Sequence, residues 1–436
     1  MPLPSRTETV IVGAGHNGLA MSRLLTMAGM DHVVIERRAT LGGGWQDRWD
    51  DFQLVSPNWA LSLPGQPYDG SDPDGYMSRD EVVATMRRYA ETVAAPVVTG
   101  TAVTRVAGSS SGEAGDRFVV DTAAGPLHAR NVVVTIGAFH RPHIPPIGAA
   151  LPSRVVQLHS LLYRRESDLP PGGVLVVGSG QTGVQLAEEL QDAGREVYLS
   201  VGTAARIPRR YRGRDIFHWL VDLAVRGPAV GVTLPSVDKL PSPGARFAGN
   251  PALSGHKGGH STDLRAMAAS GLTLVGRIAS VDGEVVRFTP GLSATLDRVA
   301  GFFGQNVEPL FDEYVAASGG SFPPDDNVWS DFEPPELDEL HLERAGISSV
   351  LWASGFRPDY RWIDFAILDD MGLPRTQRGI SDVPGLFFVG QLWQTNQASA
   401  TLFGPWVDAP HVAASMGLTL PDGERGGPDP RDDRRT

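Results

Sequence analysis

Two short glycine motifs, each set between an apolar run and a helical pattern, constrain this chain more than any other feature. The first comes after Thr9-Val10-Ile11-Val12 and reads Gly13-Ala14-Gly15-His16-Asn17-Gly18. Helical apolar spacing continues from Leu19 to Leu25, and a second run, His32-Val33-Val34-Ile35, ends at Glu36. Short continuous apolar runs of this kind read as buried parallel strands, so the segment is a βαβ unit. Gly13 permits the tight turn off the strand. Gly15 lets the backbone approach a pyrophosphate, and Gly18 lets helix and strand pack closely, with the phosphates at the helix N-terminus. The pattern recurs: strand Val174–Val177, turn Gly178-Ser179-Gly180-Gln181-Thr182-Gly183, helix Val184–Leu190, strand Glu196–Ser200. The fold class is therefore α/β, with two Rossmann-like dinucleotide-binding domains.

The two units differ at the end of their second strand. Glu36 at the end of the first accepts hydrogen bonds from a ribose hydroxyl and repels a 2′-phosphate, which selects FAD or NAD. The second strand of the other unit ends at Ser200 without an acid. A basic run comes next, Arg206, Arg209, Arg210, Arg212 and Arg214. Arginine pairs bidentately with phosphate and discriminates for NADP. Arg206 and Arg209 lie nearest the strand end, and the choice between them stays open. Two sites with opposite ribose chemistry imply two cofactors, FAD and NADPH.

Composition narrows the chemistry further. The chain contains no cysteine, so thiolate nucleophiles, a redox-active disulfide and Cys-ligated metal sites are excluded. Electrons from the flavin must go elsewhere, and O2 is the evident acceptor. The formal net charge of −12 disfavours nucleic acid or an anionic membrane as partner. The N-terminal apolar run is too short for a signal segment or a membrane span, so a cytoplasmic protein is expected; a homodimer is the base-rate expectation. Residues 241–260 read as a loop, and their His256 and His260 lack the supporting carboxylates of a metal pair; no metal is expected. Asp282-Gly283 predicts a hairpin between Ile278 and Val286. Residues 421–436 read as a disordered tail.

These residues resemble the flavin-containing monooxygenases, including plant indole-pyruvate monooxygenases, over about residues 8–416. Gly42-Gly43-Gly44-Trp45 is similar to the family's Gly-Gly-x-Trp segment, which packs on FAD. Ser56-Pro57-Asn58 stands where the family has an active-site asparagine. Ser354-Gly355-Phe356-Arg357 and Pro384–Gly390 resemble the segment near the end of the NADP domain and the late FAD-binding strand. The family signature Phe-x-Gly-x-x-x-His-x-x-x-aromatic is half present: His159 and Tyr163 match, whereas Ser153 and Val155 replace the Phe and Gly. That weakens a claim for Baeyer–Villiger oxidation in particular.

The resemblance implies a discontinuous FAD domain (1–165 and 346–420) with an NADPH domain (166–345) inserted, irregular at about 211–270. It also implies NADPH reduction of FAD, a flavin C4a-hydroperoxide, and transfer of one oxygen atom to a small organic substrate by N-, S- or Baeyer–Villiger-type oxygenation. Asn58 is the expected hydrogen-bond donor at the flavin edge. The cofactor set is Gly13, Gly15, Gly18, Glu36, Gly44, Trp45, Gln46 and Gly390 for FAD, and Gly178, Gly180, Gln181, Thr182, Gly183, Ser200, Arg206 and Arg209 for NADPH. Trp45 and Trp59 either wall the flavin or belong to the core, and His159 either orients NADP or caps a helix. Trp393, Gln394 and Asn396 are placed at the substrate pocket by position. A flavin oxidase or reductase producing H2O2, or a non-catalytic dinucleotide binder, are the alternatives.

Overall fold

The computed structural model describes residues 2–110 and 115–420; the expected tail at 421–436 lies outside the described residues. The chain opens as the first glycine motif requires. Strand β1 (Arg6–Val12) leads through Gly13 into helix α1 (His16–Met27), which returns to β2 (His32–Ile35). Helix α2 (Arg79–Thr92) begins with a capping box, in which Ser78 accepts from the Glu81 amide and the Glu81 carboxylate accepts from the Ser78 amide. Strands β3 (Val97–Val98), β4 (Val103–Gly108), β5 (Phe118–Thr122) and β6 (Gly125–Val134) come after it.

The chain then crosses to a second sheet. Its elements are β7 (Val156–His159), β8 (Gly173–Val177), α3 (Gln181–Asp192) and β9 (Val197–Ser200), then α4 (Ile216–Val225), α5 (Leu264–Ala269) and β10 (Thr273–Val275). A small antiparallel sheet comes next, β11 (Ile278–Asp282) and β12 (Val285–Phe288), with Gly283 at φ +56° in the turn where the hairpin is predicted. Helices α6 (Leu292–Asn306) and α7 (Glu308–Ser318) precede β13 (Glu339–His341), which joins the small sheet. Strand β14 (Ile347–Trp352) completes the second sheet. The chain ends back in the first unit with β15 (Leu386–Phe388) and α8 (Gly404–Ser415).

Strand pairing is parallel where the two motifs demand it. The first sheet runs β15-β6-β1-β2-β3, with β4 and β5 paired antiparallel beyond β6. The second runs β10-β9-β8-β14-β7, all parallel. The central strands are apolar on both faces, as sheets covered on both sides require: Val10, Ile11, Val132 and Val133 in one, and Val174 to Val176 with Val350 to Trp352 in the other, are inaccessible to solvent.

This pairing moves two strands across the expected boundaries. β7 lies before residue 165 and β14 after residue 346, yet both belong to the second sheet, because β14 pairs with both β8 and β7. The stretch expected to be irregular holds α4 and α5. Trp219, on α4, is fully buried beside Tyr211 and Phe311. Aromatic packing, rather than a clear 3.6-residue period, orders this part. Among the described residues no helix is long and apolar enough to cross a membrane.

Candidate active site

Both glycine turns are built alike, and each leaves its middle glycine open. Gly13 (φ +105°) and Gly178 (φ +110°) adopt backbone conformations that disfavour a side chain. A Cβ on Gly18 would lie 1.9 Å from the Gly13 carbonyl oxygen, and one on Gly183 1.8 Å from that of Gly178. Gly15 and Gly180, the N-caps of α1 and α3, have no atom within 4 Å of where a Cβ would stand, and no side chain caps either helix. The first-turn amides are therefore free to meet an anion, and the backbone can come close to it. Both turns fit a pyrophosphate.

At the first turn Glu36 is 3% exposed. Its Oε2 accepts from the Ala14 amide at 2.9 Å and its Oε1 from the Arg38 amide at 2.9 Å. The carboxylate thus ties the glycine turn to the end of β2. Gly43, Gly44, Trp45 and Gln46 form a 3-10 turn (Gly43–Asp47) laid against the glycine loop; a Cβ on Gly43 would touch the Gly15 Cα at 3.0 Å, while Gly44 faces open space. Trp45 sits 6.4 Å from His16 and 6.1 Å from Phe52. Gln46 is turned to Thr40, accepting from its hydroxyl and donating to its carbonyl at 3.1 Å. Gly390 (φ +85°) meets Asn17: a Cβ there would lie 2.1 Å from Nδ2. Asn17 is buried, and its Oδ1 has no protein partner, so a polar atom at this turn fits a bound polar group. His16 is held down to about pH 4 by burial, against a hydrogen bond to Thr401, so it stands neutral beside the anion site.

At the second turn the structure separates the two arginines. Arg206 shares a pocket with Ser179 of the turn, Thr262, Asp263 and Arg265. Its guanidinium lies over the Trp329 ring at 4.0 Å and 3.6 Å from Asp263. Arg209 points elsewhere: Nε pairs with Asp215 at 2.7 Å and Nη1 donates to the Val55 carbonyl at 2.5 Å. The buried Asp215 carboxylate, which also caps α4, draws it away. Gln181 is tied to the Leu253 backbone in both directions, and the Ser200 hydroxyl donates to the Gly276 carbonyl at 3.0 Å. Thr182 is half-buried on the first turn of α3.

Asn58 is buried on a 3-10 turn, its Nδ2 donating to the Asp72 carbonyl at 2.9 Å and its Oδ1 without a partner. His159 is locked: Nε2 donates to the Gly355 carbonyl at 2.9 Å, Nδ1 accepts from the Leu161 amide at 3.1 Å, and Phe356 packs on its edge. It tethers the 354–357 segment and caps no helix. Trp393 has φ +56°, Gln394 accepts from the Gln391 amide and Asn396 caps the 397–400 turn.

Three contributors had no sequence signal strong enough to single them out. Thr135, at the end of β6, donates to the Gly13 carbonyl at 2.8 Å and buttresses the turn. Trp329 lies on a stretch without regular structure. Asp408, fully buried on α8, accepts from the Thr395 hydroxyl at 2.8 Å, and burial raises its carboxyl to about 6. A carboxyl raised in the folded state stabilises the fold below its unfolded pKa, and that contribution is lost as pH rises from about 4 through 6. Asp408→Asn keeps an oxygen for Thr395. It should raise stability at pH 8 by about 1–3 kcal/mol and change little at pH 4; equal effects at both pH values in thermal melts would remove the ionisation cost as the cause.

Known proteins resemble this chain in sequence and in fold. The family model described as pyridine nucleotide-disulphide oxidoreductase matches residues 10–212. A CzcO-like oxidoreductase of Geobacillus kaustophilus is 29% identical over 93% of this chain and 97% of its own length. The indole-3-pyruvate monooxygenase YUCCA4 of rice is 30% identical over 48% of this chain and 50% of its own. The solved flavin-containing monooxygenase from Stenotrophomonas maltophilia superposes with a TM-score of 0.60 at 20% identity, covering 95% of this chain and 97% of that one. The chain is thus similar in fold to solved flavin-containing monooxygenases and in sequence, over about half its length, to indole-3-pyruvate monooxygenases. It is an oxidoreductase, and the doubly wound two-sheet architecture is the fold of its flavin monooxygenase neighbours.

Proposed function

We propose that the chain is an FAD- and NADPH-dependent monooxygenase that places one atom of O2 into a small organic substrate. The observation that carries this reading is the pair of open glycine turns with opposite ribose chemistry: Glu36 at the first, and Arg206 in one pocket with Ser179 at the second. FAD would be held at the first turn by the α1 amides, Glu36, Gly44, Trp45 and Gly390, and NADPH at the second by the α3 amides and Arg206. Bound flavin supplies hydride acceptance and oxygen activation. Glu36 would accept from the adenosine ribose hydroxyls while keeping its bond to Ala14. Arg206, steadied by Trp329 and offset by Asp263, would pair with the 2′-phosphate. Asn58, anchored through Asp72, would hold its amide at the reacting edge. A protein thiol relay is chemically excluded, because the chain has no cysteine. The names of the rice and Stenotrophomonas relatives support oxygenation.

The test is to reduce the FAD-loaded protein with NADPH without oxygen and then mix it with oxygenated buffer. A transient absorbance matching neither reduced nor oxidised flavin, with product formed in step with NADPH use, is expected. Direct return to oxidised flavin with stoichiometric H2O2, with and without substrate, would make the chain an oxidase. Asn58→Ala should shift most of the NADPH consumed to H2O2; unchanged coupling would leave Asn58 as the structural partner of Asp72 alone.

Arg206→Ala should raise the KM for NADPH by about tenfold to hundredfold, the worth of a lost charged hydrogen bond, and leave the KM for NADH nearly unchanged. Equal rises for both cofactors would remove the phosphate role.

A further inference from the structure

Residues 320–338, between α7 and β13, form no helix or strand. They carry Asp325, Asp326, Asp331, Glu333, Glu336 and Asp338, four prolines and no lysine or arginine. A segment of that composition cannot order itself by burying apolar surface. It is held as a strap on the second unit by polar ties. The Asn327 side chain donates to the Arg210 carbonyl at 2.7 Å, the Ser330 amide to Asp263 at 2.8 Å, and Arg265 to the Phe332 carbonyl at 2.9 Å. Glu336 accepts from the Leu292 amide at 3.0 Å.

Several of these ties fall on the lining of one pocket. It has a volume of about 350 Å3 and is lined by Ser179 of the second glycine turn, Arg206, Thr262, Asp263 and Arg265. Trp329 of the strap lies over Arg206 at 4.0 Å. Arg265 is 7% exposed, and its carboxylate partners are wet: Asp297 at 2.8 Å and Glu333 at 2.6 Å have side chains 72% and 64% exposed. Glu333 also accepts from the Ser293 hydroxyl at 3.1 Å. Burial holds the Arg206 pKa below its usual value, against the Asp263 carboxylate, and the nearby Arg265 charge adds to that lowering. The buried Thr262 hydroxyl has no protein partner, so it fits a bound polar group.

Charge decides how this pocket takes a phosphate. Two guanidinium groups, Arg206 and Arg265, stand against three carboxylates, Asp263, Asp297 and Glu333. The sum is one negative charge, and a phosphate monoester adds about 1.5–2 more at pH 7. A carboxylate must withdraw before a phosphate can meet both arginines. Asp263 is fixed, because it caps α5 through the Arg265 amide. Asp297 is fixed on α6. Glu333 alone of the three lies on chain without regular structure, and an ion pair with an exposed partner is weak enough to exchange.

We propose that Arg265 is a second ligand of the NADPH 2′-phosphate, and that Glu333 holds its place on that guanidinium until the phosphate displaces it. The inference rests on NADPH occupying the second glycine turn. Exchange of one anion for another keeps the buried Arg265 paired throughout. NADH has no 2′-phosphate with which to displace Glu333, so the strap adds to the choice between the two cofactors.

Calorimetric titration of the FAD-loaded protein with adenosine 2′,5′-bisphosphate and with 5′-AMP tests this without turnover, since flavin already fills the first turn. The wild type should prefer the bisphosphate at least about tenfold, about 1.4 kcal/mol. Glu333→Gln should widen that preference about fivefold, about 1 kcal/mol. Arg265→Gln should narrow it by at least as much, and both variants should bind 5′-AMP as the wild type does. A purely structural Glu333 would not raise affinity when replaced, so the gain is the deciding sign. An unchanged or smaller preference in Glu333→Gln, or equal weakening of both nucleotides in Arg265→Gln, would overturn the proposal. Glu333, being exposed, decides the matter if Arg265→Gln does not fold. Loss of the preference in Arg206→Ala, with the other two variants like the wild type, would keep NADPH at this turn and remove Arg265 and Glu333 from its binding. A wild type without the preference would remove the NADPH assignment itself.

Discussion

Glu36→Arg should purify colourless, with flavin occupancy reduced at least tenfold. The carboxylate is 3% exposed and holds two backbone amides, Ala14 in the glycine turn and Arg38 just past β2. The substitution removes both acceptors. It also places a second guanidinium beside Arg38, whose Nη1 lies 3.7 Å from Glu36 Oε1. An uncompensated buried charge costs about 3–5 kcal/mol, and the ribose hydroxyls lose their acceptor as well. Glu36→Gln, which keeps an oxygen for one amide, should retain part of the flavin. A Glu36→Arg protein that purifies yellow at full occupancy would place the flavin elsewhere. A thermal melt of the Gln variant separates loss of ligand from loss of fold.

The parts of this site legible in the sequence are those where backbone geometry dictates a residue type. Gly13 and Gly178 need a positive φ, and Gly18 and Gly183 leave no room for a methyl group, so the two turns and their helices were readable from spacing alone. The hairpin at Gly283 came from the same rule. Side-chain destinations were not readable in this way. Arg206 and Arg209 are three residues apart in one basic run, yet one faces the second glycine turn and the other the Asn58 segment. The difference is made by Asp215 and Asp263, whose positions depend on how α4 and α5 pack. The domain boundaries drifted for a related reason: β7 and β14 are ordinary apolar strands, and only their pairing with β8 assigns them to the second sheet. The packing of Trp59, Phe217 and Phe403 draws on three distant segments, and such a contact leaves no local pattern to find.

Gly183→Ala tests the second turn with the first left intact. The added methyl would stand 1.8 Å from the Gly178 carbonyl oxygen and 2.9 Å from its carbon. Both are backbone atoms, so no side chain can swing aside, and α3 must back away from β8. Gly178 itself has little freedom, since its own position is crowded by the Ala353 carbonyl. The displacement therefore passes to Gly180 and the first-turn amides of α3, the groups proposed to hold the pyrophosphate. A shift of about 1 Å between reacting partners can cost on the order of a hundredfold in rate. The expected result is a yellow protein whose flavin is reduced normally by dithionite and at least a hundredfold more slowly by NADPH. Retained reduction by NADPH would mean that hydride reaches the flavin without the second glycine turn. Loss of flavin along with NADPH activity would mean that the two units fold as one and that α3 supports the first site. The second outcome has a structural route, because Gln185 on α3 donates to the Gln53 carbonyl at 3.2 Å, next to the segment that carries Asn58. Gly18→Ala supplies the converse, with its methyl 1.9 Å from the Gly13 carbonyl oxygen, and should lose flavin first. Opposite phenotypes from two identical substitutions would assign each turn its own dinucleotide.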